Sequence, residues 1–134
     1  MKINEFVNTV YLGDRCCKEI CINGFDGIVS IKVDSISRIR SHDKYWNFYL
    51  DEDIENGLIV FTGVKTINFL NSKQIPNDRI NYLKFIKSEN NFSTFRISID
   101  SIKEDATSEE VVLEIQAIGI HLIDPSRPSI IIDN

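Results

Sequence analysis

Alanine is nearly absent: only Ala106 and Ala117 occur in 134 residues. Alanine is the best helix former, and here 23 isoleucines and eight phenylalanines dominate, side chains that suit a pleated, half-buried surface. A mostly helical fold is disfavoured. Basic residues are in deficit, 15 Lys and Arg against 20 Asp and Glu, for a net charge of −5. Such a surface repels phosphate backbones, and no Lys/Arg stripe reverses it locally, so nucleic acid is not an expected partner. Long apolar runs are missing too. The stretch LIVF at 58–61 is far shorter than a membrane helix needs, so no membrane is expected either. The opening MKINEFVNTVYLGDR has no apolar core and no small-residue cleavage site, and so does not read as a signal peptide. Three cysteines, an odd number, then read as free thiols in a reducing cytoplasm, the expected location.

Chemical motifs are equally scarce. No Gly-rich phosphate loop, HExxH or GxSxG occurs. Cys16, Cys17 and Cys21 form CC-x3-C, which lacks the close CxxC pair of a structural zinc site, and the two histidines, His42 and His121, lie far off in sequence. On a strand, Cys17 and Cys21 would share a face and Cys16 would point the other way, so the three cannot converge. A reactive thiolate needs a helix N-terminus or strong cationic neighbours, and Arg15 and Lys18 alone do not make that field. Ser41-His42-Asp43 are sequence neighbours that point in different directions and read as a solvated loop. The acidic run 51–57 fails as an EF-hand, since counting from Asp51 its sixth and twelfth positions hold Asn56 and Thr62. Neither catalysis, a metal nor a cofactor is expected.

What is present reads as one β-rich domain spanning residues 1–134. Ile3, Phe6, Val7 and Val10 recur at helical spacing and predict a short N-terminal helix. Residues 16–22 and 28–34 flank Asn-Gly-Phe-Asp-Gly, a strong hairpin signal. A strand over 45–50 would place Trp46, Phe48 and Leu50 on one face. The segment 58–62, apolar on both faces, is expected to be central, and 64–70 to follow it in a second tight hairpin. Ile75-Pro76-Asn77-Asp78 predicts a turn. Segments 81–87 and 92–101 should pair across 88–91. Over 110–122 the apolar phase runs through Val111, Leu113 and Ile115, then shifts to Ile118, Ile120 and Leu122. That slip implies a β-bulge or a strand that leaves one sheet for another. Residues 129–133 would add an edge strand. The expected fold is a mainly β, antiparallel sandwich or partly open barrel of about eight to ten short strands.

YLGDR at 11–15, SRIR at 37–40, WNFY at 46–49, DIENG at 53–57 and IPND at 75–78, with HLIDP at 121–125 more loosely, resemble a small bacterial family of unknown function marked by a YLGDR motif. The resemblance implies no activity and carries over no ligand residue. Physically, YLGDR reads as a structural corner: Tyr11 and Leu12 anchor it, Gly13 permits the tight backbone, and Asp14 and Arg15 bond locally. The functional alternative is a polar patch of Asp14, Arg15, Arg38 and Arg40, whose arginines would suit carboxylate or phosphate contacts.

The leading expectation is a non-enzymatic interaction protein, leaning to an immunity-type protein that neutralises a basic toxin domain through the acidic surface Asp51, Glu52, Asp53 and Glu55. A small-molecule-binding β module with a pocket around Trp46, and a subunit that self-associates through an edge strand at 130–132, are the alternatives.

Overall fold

The computed structural model describes residues 1–39, 53–70 and 72–134. The strand expected over 45–50, with Trp46 and Phe48, lies outside the described residues, as do His42, Arg40, Asp51 and Glu52. The expected helix is present as α1 (Ile3–Thr9), with Glu5 in its first turn accepting from the Lys2 amide at 3.1 Å and Phe6 and Val7 turned into the core. It ends where Val10, Tyr11 and their successors favour extended backbone.

Eleven strands follow among the described residues: β1 (Val10–Tyr11), β2 (Cys17–Asn23), β3 (Ile28–Val33), β4 (Ser35–Arg38), β5 (Asp53–Glu55), β6 (Leu58–Thr62), β7 (Thr66–Leu70), β8 (Ile80–Glu89), β9 (Phe92–Ile102), β10 (Ser108–Ala117) and β11 (Gly119–Ile123). All pairings are antiparallel. One four-stranded sheet has the order β11-β6-β3-β2, a second β7-β10-β9-β8, and a small third β1-β4-β5. The fold is mainly β and sandwich-like, with no closed barrel among the described residues.

The core lies between the two larger sheets because each strand obeys period two. Val29, Ile31 and Val33 of β3 face inward, while Ser30 and Lys32 stay half-exposed. Ile59 and Phe61 of β6 and Leu113 and Ile115 of β10 complete the packing, all fully buried. Phe61 meets Phe95 of the opposite sheet edge-to-face, ring centroids 5.2 Å apart. As expected, β6 is central and β8 pairs with β9.

The predicted parity slip is a change of sheet. β10 pairs with β9 and β7 through Ala117; after Ile118 the chain continues as β11 beside β6 in the other sheet. The Ile118 amide donates to Thr62 O at 2.9 Å, and a Cβ on Gly119 would come within 2.9 Å of Thr62 Oγ1.

Three expectations are corrected. Segments β6 and β7 do not form a hairpin: Gly63 takes φ +57°, the Val64 amide donates to Gly27 O and the Lys65 amide to Gln116 O, which directs the chain into the second sheet. Residues 75–78 form no tight turn. They belong to a crossover that bends at Asp78, where the Asn77 and Asp78 amides both donate to Asp100 O. The tail at 129–133 is no strand but a single bridge, Leu122 to Ile132.

Because Phe61 joins the two sheets with no exposure, Phe61→Ala should cost about 3–5 kcal/mol in urea unfolding, the range for a buried aromatic emptied to a cavity. A change below about 1 kcal/mol would contradict this packing.

Candidate interaction surface

Three of the motifs that carry the resemblance come together; WNFY lies outside the described residues. YLGDR supplies β1 and the corner after it, SRIR the end of β4, and DIENG β5, so three separate stretches build the third sheet. Leu12 is buried, the Arg15 amide donates back to Leu12 O at 3.2 Å, and Asp14 takes φ 56°. A Cβ on Gly13 would lie 2.6 Å from Tyr11 Cζ, so the tyrosine ring folds over the glycine. The corner is tight, closed by the Arg15 amide on Leu12, but the Asp14 and Arg15 side chains bond to Arg79 and Ser37 rather than to each other.

The polar patch does not assemble as one surface. Asp14 accepts from Arg79 at 2.8 Å, both well exposed. Arg15 donates to Ser37 Oγ at 3.0 Å, and Ser37 donates on to Asp53 Oδ1. Arg38 instead is 4% exposed, donates to Thr9 Oγ1 and to the Asn134 carbonyl, and lies 5.0 Å from the centre of the Phe6 ring. Arg40 is outside the described residues. These side chains join the helix, third sheet and tail. Of the acidic surface, Asp53 and Glu55 are exposed, with Asp53 engaged by Ser37.

The cysteines also depart from expectation. Between Cys17 and Glu19 the β2–β3 register slips, so Cys17 faces Val33 in the core while Cys21 sits opposite Ser30 and is exposed. One extra residue, Lys18, reverses the parity, and Cys17 and Cys21 take opposite faces rather than the same one. Burial pushes the Cys17 thiol up to about 11. Cys16, half-buried, is also raised, by burial first and then by the Asp34 and Asp78 carboxylates. Neither is an activated nucleophile. Among the described residues no three His, Cys, Asp or Glu side chains converge as metal ligands.

A feature that sequence reasoning missed lies beside β2. Among the described residues this strand ends its sheet, and the start of its outer edge meets the end of the 72–79 crossover, where Cys16 bridges Arg79 and the Cys17 amide donates to Asp78 O, while the Ile80 amide donates to Arg15 O. Beyond that point the two diverge, and Pro76 has no amide to offer. Two connected hollows of about 560 and 530 Å³ run between them, sharing Ile20, Ile75 and Pro76 in their walls. Ile22, Phe69 and Ile75 remain 54, 45 and 78% exposed around this groove. The Lys18 ammonium, from the wall of the first hollow, donates to Asn56 Oδ1 at 3.4 Å, which sets the Glu55 turn beside the start of β2. The exposed isoleucines and the proline were visible in sequence, but only pairing order places them at one edge.

Residues 1–134 match, as one stretch, the profile of a family described as a family of unknown function. No curated protein matches the chain, and no solved structure does.

Two outcomes follow from these side chains. Arg38→Leu should lower unfolding stability by about 2–3 kcal/mol, because it strips charge-assisted bonds from Thr9 and the tail carbonyl; unchanged stability would mean that Arg38 does not tie the elements together. The Cys17 thiol is held neutral in the fold, whereas an unfolded thiol ionises near 9.0. Its contribution is therefore complete below pH 9 and is lost as pH rises toward about 11. Urea midpoints across that range should fall more steeply for the native chain than for Cys17→Ala; parallel curves would refute the shift.

Proposed function

The chain belongs to that family, DUF6258, whose description assigns no activity, and we propose that it is a non-enzymatic protein-binding module that receives its partner along the open edge of β2 and the adjoining groove. The observation that carries this reading is the exposure of Ile22, Phe69 and Ile75 around a strand that, among the described residues, is the edge of its sheet. An unpaired edge is a template for an added strand, and apolar side chains beside it give such pairing both affinity and register. A polypeptide partner suits this geometry better than a small molecule, because the hollows are long and open rather than enclosed.

The partner is basic. The net charge of −5 favours steering toward a positive surface, and Glu55 stands exposed next to Asn56, which Lys18 in the groove wall bonds. An immunity-type protein that caps a basic toxin domain fits both features, with strand addition supplying the grip and acidic residues the approach.

Tagged native protein, Ile75→Asp and Glu55→Lys should be compared as baits in the same lysate. The native bait should retain a basic protein at equal stoichiometry, Ile75→Asp should lose it, and Glu55→Lys should release it at lower salt. Equal capture by all three baits would overturn the assignment of this surface.

A further inference from the structure

The chain contains two Asn-Gly sequences, Asn23-Gly24 and Asn56-Gly57, and the fold treats them in opposite ways. Asn-Gly is the peptide sequence most open to intramolecular attack, because glycine places no side chain in the way of its own nitrogen. At the β2–β3 tip both Asn23 and Gly24 are exposed, and a Cβ on Gly24 would meet nothing within 4 Å. The Asn23 side chain is already oriented: its Oδ1 accepts from the Asp26 amide at 3.1 Å and its Nδ2 donates to Asp26 Oδ2 at 2.9 Å.

Asn56-Gly57 is held on every side. Gly57 is buried, and a Cβ there would fall 2.8 Å from Ile36 Cδ1 and 2.9 Å from Ile54 Cγ2. The Asn56 amide donates to Asp34 O, Gly57 O accepts from the Val33 amide, and Asn56 Oδ1 accepts from Lys18. Rotating this peptide to bring Gly57 N against Asn56 Cγ requires opening the turn.

We propose that Asn23 is a site of spontaneous, structure-selected deamidation and isoaspartate formation, and that Asn56 is protected from the same chemistry by the fold. Gly24 N loses its proton to solvent base and bonds to Asn23 Cγ; the Cγ–Nδ2 bond breaks and ammonia leaves. Water then opens the resulting succinimide at either carbonyl, which gives aspartate or isoaspartate. In aspartate a carboxylate replaces the Nδ2 donor that faced Asp26; in isoaspartate the side-chain carbon enters the backbone and leaves a pendant α-carboxylate, so either product loses the bond that closes the tip and adds a negative charge near Asp26. Phe25, wholly exposed between them, sits on the segment that is released.

The full chain should be incubated in mildly alkaline buffer, with and without denaturant, and digested for peptide mass mapping that separates isoaspartate from aspartate. In the native chain the conversion should appear at residue 23 and not at 56, and denaturant should bring 56 level with 23. Gly24 has no positive φ, so Gly24→Ala should fold normally and slow the reaction at 23 about tenfold, a barrier rise near 1.4 kcal/mol. Equal conversion at both sites in the native chain, or none at 23 while denatured chain reacts, would overturn the proposal.

Discussion

One continuous ribbon, β10 running into β11, ties the two main sheets together. Through Ala117 it bonds to β9 and β7; from Gly119 it bonds to β6. Strand side chains alternate faces, so a chain that crosses from sheet to sheet must change the phase of its apolar residues to keep them inside. The shift from Leu113 and Ile115 to Ile120 and Leu122 does this, with Ile118 spent as the exposed hinge residue. The constraint spreads outward. Because β10 claims β7 as its second neighbour, β7 cannot fold back on β6, and the crossover of residues 72–79 must run across the end of that sheet to reach β8. That path is what leaves β2 partly unpartnered.

The third sheet has a different logic. It is too small to hold a core of its own: Ile36 of β4 and Ile54 of β5 join the main core, and polar side chains fix the rest. Arg38 carries its charge almost out of water, which is tolerable because Thr9, the tail carbonyl and the Phe6 ring compensate it. The chain Arg15–Ser37–Asp53 does the same on the other side of β4. Of the residues that resemble a recognition patch in sequence, Arg15 and Arg38 bond to Ser37, Thr9 and the tail, whereas Asp14 pairs with Arg79 at the surface.

Much of the fold was legible because it rests on period. The helix at the start, the β2–β3 hairpin, the buried β6 and the sheet change after Ala117 all follow from where isoleucine, valine and phenylalanine fall. Misreadings occurred where one residue overruled the pattern. Gly63 in a left-handed conformation converted an expected hairpin into a passage between sheets. Lys18, as an inserted bulge residue, turned Cys17 and Cys21 to opposite faces. Pro76 and Asn77 suggested a self-closed turn, yet the Asn77 and Asp78 amides bond to Asp100 O of β9 where the chain bends, not to a neighbour in sequence. The groove beside β2 was not legible at all, since no local signal states which strand lacks a neighbour. The acidic residues were legible as a surface but not as a structural link, since the Ser37–Asp53 contact is made across a distance in sequence.

The account stands on β2 being the edge a partner completes, and amide hydrogen exchange reads that directly. It should be measured on the chain alone and in complex with the captured basic protein. Slowed exchange along β2 and in the 72–77 stretch, with β10 and β11 unchanged, is the predicted result. Protection confined to β5, or to the outer face of the β7-β10-β9-β8 sheet, with β2 exchanging as before, would contradict it.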